Sequence, residues 1–336
     1  MARPPWAADA FAARLPHLRR RARLAAATRA FFDARGYVEV ETPYAVPTPG
    51  EEVHLRAYAT EQIATDGSRV RRFLHTSPEF AMKRLLVAGA GRVFQLARVW
   101  RNEQGSDLHA PEFTMLEWYR PDATLDALMD ETEAYLRAVL PPVVSCRDVT
   151  TSLDAFERLT VAEAFARWTG TDVIATADDA PALAAAAGVV LRAGETWEDL
   201  FFRLLLDRIE PHLGQARPTF LTHWPAAQAA LARRDPRDPR VAERFELYVC
   251  GIELANAYAE LTDAWEQRAR FLADRARRAA LYGTEDDWPL DEDFLDAVAH
   301  GLPPCAGIAL GFDRLAMIAA GAARIGDVQW MPVTPL

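Results

Sequence analysis

The sequence predicts an α+β fold in which an antiparallel sheet is flanked by helices. Within residues 94–119, two segments of alternating side-chain type lie on either side of a polar loop, which indicates a pair of antiparallel strands. Further strand-like segments begin at residue 219, separated by turn residues. Amphipathic helical patterns lie before, between and after these strands, so we expect helices against the sheet.

The first third of the chain predicts two helices ahead of the paired strands. We expect a helix over residues 18–35 that ends at Gly36, and then a strand over 37–43 that a proline closes. Residues 77–79, Ser-Pro-Glu, are typical of a helix start, with serine as the cap, proline at the first helical position and an acid in the first turn.

The rest of the chain predicts a helical segment and then a return to strands. Thr124 can cap a helix that ends before two prolines. The alanine-rich segment at about 150–215 is helical by pattern and shows no chemistry, so we interpret it as a helical insertion. The later elements are strands from residue 219, helices at about 262–282 and 291–300, and a strand that enters a helix at 305–321.

Length and composition limit the class of protein. The 336 residues allow one large domain or two small ones, and we predict a single domain over residues 1–336. No apolar run is long enough for a membrane span, and the start of the chain has no apolar h-region before its arginines, which argues against a secretory signal. The three cysteines are far apart and odd in number, which argues against disulfides or zinc and favours a reducing cytoplasm.

The charge of the chain disfavours a protein whose main task is to bind RNA. Its net charge is −10, whereas a protein that binds RNA through the phosphate backbone usually has a basic face. Two small basic patches allow either a solvated face or a docking patch for a macromolecular partner. The first comprises Arg14, Arg19, Arg20, Arg21 and Arg23, and the second comprises Arg69, Arg71 and Arg72.

The paired strands bring binding groups to one face. Side chains two apart on a strand share a face, so Arg101 and Glu103 point the same way. On the second strand the same rule groups Phe113, Met115, Glu117 and Tyr119. A cation, an aromatic ring, carboxylates and a phenol on one sheet suit the binding of a nucleotide beside an amino acid.

Three segments resemble the signature motifs of the class II aminoacyl-tRNA synthetases. The order R-N-E followed by H-x-P-E-F-T-M-L-E-W-Y in residues 101–119 resembles motif 2, specifically that of the lysyl branch. The early helix–strand–proline unit resembles motif 1, and residues 305–321 resemble motif 3. The resemblance implies the class II catalytic core as the fold and a homodimer formed through the motif 1 region.

The resemblance also implies a binding site for ATP and Mg²⁺. Arg101 would bind the α-phosphate with the attacking carboxylate, and Arg314 the γ-phosphate, so both would be catalytic. Glu103 would accept from the adenine amine, Phe113 would stack on the ring, and His109 would lie by the outer phosphates. Glu246 and Glu253 would bridge Mg²⁺ to the phosphates. The implied ATP-binding set is Arg101, Asn102, Glu103, His109, Ala110, Phe113, Glu246, Glu253, Gly311 and Arg314.

The same resemblance implies a diamino acid as the substrate. Tyr119 and Glu260 occupy the positions that bind the far amine of lysine. Several buried carboxylates in one pocket require a cationic ligand. The implied substrate-binding set is Ser77, Pro78, Glu79, Glu117, Tyr119, Asn256, Glu260 and Ala309.

Two positions depart from the lysyl-tRNA synthetase pattern. Ala309 replaces the middle glycine of motif 3, and Ser77 stands where alanine is common. Together they indicate a substrate whose amine is shifted along its carbon chain. A change of one methyl group in a pocket is worth roughly 1–3 kcal/mol, which is enough to alter preference.

The start of the chain points to one branch of this family. The motif 1 helix begins so early that no N-terminal anticodon-binding OB-fold fits before it. The chain therefore resembles the elongation factor P–(R)-β-lysine ligase family. This resemblance implies that ATP activates (R)-β-lysine as an adenylate and that the β-lysyl group passes to a lysine of elongation factor P.

Three alternatives remain open at the level of sequence. A truncated lysyl-tRNA synthetase would make α-lysyl-adenylate for tRNA or another acceptor. A synthetase-like binding module without activity would be expected to lack the phosphate-binding arginines, which this chain keeps. An asparagine-synthetase-like ligase would need a cationic pocket in place of Glu260 and Tyr119.

Overall fold

The computed structural model describes residues 4–284 and 287–333. The helices in this part of the chain are α1 (Ala8–Asp33), α2 (Glu79–Val87), α3 (Leu125–Val139), α4 (Val161–Thr169), α5 (Ala180–Ala187), α6 (Trp197–Leu204), α7 (Ala264–Tyr282), α8 (Glu292–Gly301) and α9 (Phe312–Ala320). The strands are β1 (Val38–Glu39), β2 (Ala45–Val46), β3 (Ala59–Ile63), β4 (Arg69–Leu74), β5 (Val93–Trp100), β6 (Glu112–Pro121), β7 (Val143–Cys146), β8 (Val149–Ser152), β9 (Glu157–Thr160), β10 (Thr219–Pro225), β11 (Val241–Val249), β12 (Ile252–Ala259) and β13 (Cys305–Gly311).

The chain divides into two compact units. The first unit combines the residues up to Thr124 with those from Leu261 onward, and the second unit is Leu125–Glu260. Each unit contains four adjacent strands of a mainly antiparallel sheet together with helices. The predicted α+β architecture is therefore confirmed, while the prediction of one domain with an insertion at about 150–215 stays a prediction.

In the first unit the strand order is β1-β5-β6-β13. Strands β5 and β13 both pair with β6 in antiparallel fashion, and β1 pairs with β5 in parallel. Helix α1 packs on this sheet through Phe32, whose ring stacks on Phe94 at 4.7 Å and lies 5.1 Å from the ring of Trp118. All three rings are buried, so they form the apolar base beneath the paired strands.

A buried ion pair fixes helix α9 against α1 and β6. Arg21 of α1 donates to the Asp313 carboxylate at 2.5 Å and to the Thr114 hydroxyl at 2.8 Å. Asp313 also accepts from the Gln329 side-chain amide at 2.9 Å. Both charged side chains are almost fully buried, so the pair sets the position of the first turn of α9, which carries Arg314.

In the second unit the strand order is β9-β10-β11-β12. Helices α4 to α6 share one buried apolar cluster with these strands, in which the rings of Phe165 on α4 and Phe201 on α6 are stacked at 5.0 Å. Thr160 and Glu163 form a capping box that begins α4, and Gly170 ends that helix in a left-handed conformation. The local sequence therefore specifies where α4 starts and stops.

Several element boundaries differ from the sequence prediction. Helix α1 begins at Ala8 rather than at residue 18, because Arg14 donates to the backbone carbonyls of Gly326 and Gln329 and holds the first turns in place. The segment at about 150–215 contains strands β8 and β9 besides its helices. Strand β9 forms because it pairs with β10, a long-range contact that the alanine-rich composition does not show.

Two further boundaries lie next to predicted site residues. Helix α2 begins at Glu79, so Pro78 precedes the helix rather than starting it, and the Ser77 hydroxyl accepts from the Glu79 amide at 3.0 Å. Strand β5 ends at Trp100, so Arg101 and Glu103 lie in the loop and the prediction that they share a strand face was wrong.

The first basic patch is largely committed to internal contacts. Arg14 and Arg20 donate to backbone carbonyls, and Arg21 is buried in its ion pair. Arg19 and Arg23 are exposed, so only those two arginines of the patch remain available for docking a partner.

In the described part of the chain, no helix has the length and apolar character that crossing a membrane requires.

Replacement of Arg21 by Met should destabilise the fold, because it leaves the Asp313 carboxylate buried without its cation. Loss of one partner from a buried pair costs about 3–5 kcal/mol. Urea unfolding followed by circular dichroism measures this cost, and Arg19→Met, an exposed change on the same helix, is the control. Equal stability of the two variants would contradict a structural role for the ion pair.

Candidate functional site

The amino-acid part of the predicted site is built around Glu117 in the first unit. Glu117 lies in the middle of β6 and is fully buried. Its carboxylate accepts from the Ser77 hydroxyl at 2.6 Å and from the Tyr119 hydroxyl at 3.0 Å. Three of the predicted substrate-binding residues are therefore joined in one hydrogen-bonded group.

Burial makes Glu117 difficult to ionise when nothing is bound. Loss of solvation, with the nearby charge of Glu79 as the next cause, raises the pKa of Glu117 to about 8. Glu79 itself forms an ion pair with the buried Lys83 ammonium at 2.5 Å. A ligand amine beside Glu117 would supply the positive charge that favours its ionised form.

The strand register places Ala309 beside the same carboxylate. In the antiparallel pairing of β13 with β6, Ala309 stands directly opposite Glu117, and Gly311 stands opposite Met115. Directly opposed residues bring their Cβ atoms to about 5 Å. Ser77 and Ala309, the two departures from the lysyl-tRNA synthetase pattern, are therefore both immediate neighbours of Glu117.

Arg101 lies at the base of the loop between β5 and β6. Its backbone amide donates to the Pro111 carbonyl at 2.9 Å, which closes the loop. Its guanidinium is 5.4 Å from the centre of the Phe113 ring. The buried Nε atom of Arg101 has no hydrogen-bond partner among the described residues, so this cation has donor capacity for an anion.

Arg314 and His109 form a second polar contact in the first unit. The Arg314 guanidinium donates to Nε2 of His109 at 2.8 Å. Because Nε2 accepts, the proton of the neutral ring is on Nδ1, which donates to the Ser106 hydroxyl at 2.8 Å. The side chains of Asn102 and Glu103 are exposed in the same loop, and Ala110 is half-buried.

The second unit carries another polar face, on β11 and β12. Arg244, Glu246 and Tyr248 alternate along β11 and so share one face. The Glu246 carboxylate accepts from the Arg244 guanidinium at 2.6 Å and from the Tyr248 hydroxyl at 2.8 Å. Asn256 stands directly opposite Glu246 in the pairing of β11 with β12.

The carboxyl groups of Glu246 and Glu253 suit a divalent cation. Loss of solvation, with the charge of Glu253 as the next cause, raises the pKa of Glu246 to about 7. A cation would relieve the repulsion between the two groups. Two carboxylates are a suitable contribution from the protein for Mg²⁺, which takes its remaining oxygens from phosphate and water. No cluster of three or more candidate metal ligands occurs among residues 4–284 and 287–333.

Glu260 lies just beyond the end of β12. It forms a single antiparallel bridge with Ala232 and is only 2% exposed. Its spacing from Asn256 continues the face of β12 that bears Asn256 and Tyr258. Glu246 on β11, Asn256 on β12 and Glu260 just after β12 therefore lie along one face of the sheet in the second unit.

Sequence reasoning missed three side chains that contact the predicted residues. Lys83 lies four residues after Glu79 on α2, a spacing typical of helical ion pairs. Arg244 and Tyr248 each lie two residues from Glu246, so the alternation of β11 already placed them on its face. In each case the spacing was visible in the sequence.

The raised pKa of Glu117 predicts a pH dependence of stability. A group that binds its proton more tightly in the folded state contributes stability below its unfolded pKa of 4.5, and that contribution is lost as the pH rises through about 8. When the pH rises from 5 to 8, the free energy of unfolding of the wild type should therefore fall by about 2–4 kcal/mol more than that of Glu117→Gln.

Urea unfolding at a series of pH values measures this difference. Burial raises the pKa of Glu51 and Glu246 as well, so part of the slope should remain in the variant. The control is Glu112→Gln, which removes a partly exposed carboxylate from the same strand. If the free energy of unfolding of Glu117→Gln falls with pH as steeply as that of the wild type, the raised pKa of Glu117 is refuted.

Residues 13–335 match the family model described as tRNA synthetases class II (D, K and N). A protein from Salmonella dublin named "Elongation factor P--(R)-beta-lysine ligase" is 44% identical over 321 residues, which cover 94% of each chain. A protein of the same name from Proteus mirabilis is 41% identical over 325 residues, or 96% of each chain. The chain therefore belongs to the class II tRNA synthetase family, in the group that includes the elongation factor P–(R)-β-lysine ligases.

Proposed function

We propose that this enzyme activates (R)-β-lysine with ATP and transfers the β-lysyl group to a lysine ε-amine of elongation factor P. The observation that carries this proposal is the buried Glu117 carboxyl with Ser77 and Ala309 as its neighbours. A buried acid calls for an amine, and the two neighbours differ from the usual lysyl-tRNA synthetase residues. The names of the two relatives described above point to the same amino acid and acceptor.

In the activation step, one carboxylate oxygen of the amino acid attacks the α-phosphorus of ATP and pyrophosphate leaves. Arg101 would bind the α-phosphate and the attacking carboxylate together, since its planar fork can contact two anions. Its buried and unpartnered Nε supports this role. Phe113 would stack on the adenine, and the Arg101 guanidinium already lies against the ring of Phe113.

The outer phosphates and the metal would be held by separate groups. Arg314 would bind the γ-phosphate, with His109 beside it; their present contact shows that both side chains can reach one point. Glu246 and Glu253 would hold Mg²⁺, which neutralises phosphate charge when bound. Asn102, Glu103 and Ala110 complete the nucleotide-binding set, Glu103 as acceptor of the adenine amine.

The amino acid would be recognised at both of its amines. Glu117, together with Glu79, would lie near the amine closer to the carboxylate, and Tyr119 and Glu260 near the far amine. Asn256 would contact the carboxylate. Pro78 would line the amino-acid site, whereas Gly311 would allow the close backbone approach to the phosphates beside Arg314. The methyl of Ala309, opposite Glu117, would favour an amine moved one carbon along the chain.

The transfer step needs no nucleophile from the enzyme. The acceptor amine attacks the carbonyl carbon of the adenylate, AMP leaves, and the amine loses a proton. All three cysteines are buried thiols, and burial raises the pKa of both Cys146 and Cys250. Their chemistry is therefore poorly suited to carrying an acyl group.

The proposal includes a homodimer formed through the motif 1 region. Among the described residues of the first unit, strand β1 pairs with β5 alone, and Val38 within β1 is 56% exposed. An edge strand presents backbone groups that can pair with another chain, which supports an interface there. A cytoplasmic location, inferred from the spacing and number of the cysteines, stays a prediction.

The test of the function is a transfer assay with two acceptors. The enzyme is incubated with ATP, Mg²⁺ and either (R)-β-lysine or α-lysine, together with either elongation factor P or tRNA. We expect intact-mass spectrometry to show a β-lysyl adduct on elongation factor P, and expect little acylation of tRNA. Robust acylation of tRNA with α-lysine, without modification of elongation factor P, would favour a truncated lysyl-tRNA synthetase instead.

Ala309→Gly should raise the activation of α-lysine relative to that of (R)-β-lysine. Removal of the methyl opposite Glu117 restores room for an amine on the α-carbon, which is worth roughly 1–3 kcal/mol, or about 5–150-fold in the ratio of kcat/KM. Pyrophosphate exchange with each amino acid measures the ratio. Ala306→Gly, at a fully buried position on the same strand, is the control, and an unchanged ratio in Ala309→Gly would refute the role.

A further inference from the structure

We propose that Arg244 is a positioning residue that sets both the metal-binding carboxylate of Glu246 and the carboxylate-binding amide of Asn256. This inference rests on the proposed function, because it takes the roles of those two residues from it. It adds a third residue, whose guanidinium contacts both the proposed metal ligand and the proposed substrate-binding amide of the second unit.

The three nitrogen atoms of the Arg244 guanidinium donate to three different partners. One terminal nitrogen donates to Oε1 of Glu246 at 2.6 Å, and the other donates to the Gln228 carbonyl at 2.7 Å. The Nε atom donates to Oδ1 of Asn256 at 3.2 Å. The planar fork of an arginine can make these bonds together, whereas the point charge of a lysine cannot.

The bond to Asn256 decides which end of that amide is available. Because Nε of Arg244 is a donor, the Asn256 oxygen must face it. The NH₂ group of Asn256 is then turned away from Arg244, as an amide must be if it is to donate to a substrate carboxylate. With Arg244 absent, the amide could rotate and present its oxygen, which would repel that carboxylate.

The hydrogen bond from Arg244 to Glu246 orients the carboxylate that would bind the metal ion. The Arg244 guanidinium holds Oε1 of this carboxylate in one position through its hydrogen bond at 2.6 Å. Tyr248 holds the other oxygen at 2.8 Å. The side chain of Glu246 is therefore fixed from both ends before any metal ion arrives.

Packing leaves Arg244 little freedom. The residue is only 8% exposed, and its guanidinium lies 4.1 Å from the centre of the Trp224 ring and 5.9 Å from that of Tyr258. Stacking of this kind holds the guanidinium plane in one orientation. Its geometry can therefore be transmitted to Glu246 and Asn256 without contact between Arg244 and the substrate.

The test compares Arg244→Met with Arg244→Lys by pyrophosphate exchange with (R)-β-lysine. Arg244→Met removes all three bonds, so we expect the Mg²⁺ concentration for half-maximal rate and the amino-acid KM each to rise about tenfold or more. Arg244→Lys keeps a positive charge near Glu246 but not the fork. It should therefore raise the amino-acid KM while restoring most of the Mg²⁺ response.

A double variant keeps the proposal testable if Arg244→Met fails to fold. If Arg244 acts on the amino acid through Asn256, then Arg244→Lys should raise the amino-acid KM in the wild type but not in an Asn256→Ala background. Additive increases in the double variant would overturn the proposal. So would an Arg244→Lys variant with both constants unchanged.

Two controls separate this inference from the proposed function. Arg203→Lys alters another arginine–glutamate pair of the second unit, the partly buried pair with Glu195, and should leave both constants at wild-type values. Glu246→Gln and Asn256→Ala test the underlying roles directly. If those two variants behave as wild type, the proposed site fails; if they are impaired while the Arg244 variants are not, only the inference about Arg244 fails.

Discussion

A carboxyl group buried in the middle of a strand requires a positive partner or a proton. Glu117 has no exposure to solvent, and its bonds from Ser77 and Tyr119 do not offset the loss of hydration, so its pKa rises to about 8. The cost of burying such a charge is several kcal/mol. A fold keeps a group of this kind only where something offsets that cost, and a cationic ligand does so.

Glu246 in the second unit is also a buried carboxylate, but it has a positively charged partner within the protein. Its carboxylate is buried beside Glu253 and is held by Arg244 and Tyr248. Although the Arg244 guanidinium already supplies one positive charge, the pKa of Glu246 still rises to about 7. The remaining demand for positive charge is what a divalent cation can satisfy, and the fixed geometry lowers the cost of ordering the carboxylate when it binds.

The strand alternation made the positions of several candidate site residues predictable. Glu117 and Tyr119 could be assigned to one face because a strand has a period of two, and β6 does place them so. The extension of α1 to Ala8 could not be predicted, because it depends on bonds from Arg14 to a segment more than 300 positions away. The burial of Arg21 likewise depends on Asp313, a partner that is remote in sequence.

The end of β5 illustrates a different limit. Alternation continues in the sequence through Glu103, but pairing with β6 stops at Trp100, since the chain turns into the loop that the Arg101 amide closes on Pro111. Local pattern cannot show where a partner strand ends. Arg244 shows the reverse case: its spacing from Glu246 was visible, but its importance emerged only from three simultaneous bonds.

The most direct measurement is pyrophosphate exchange by the wild-type enzyme across (R)-β-lysine, (S)-β-lysine, α-lysine and ornithine. If the buried acid beside Ser77 and Ala309 selects a diamino acid with a shifted amine, (R)-β-lysine should give the highest kcat/KM of the four, with α-lysine well below it. A preference for α-lysine, or an absence of exchange with all four compounds, would contradict that account.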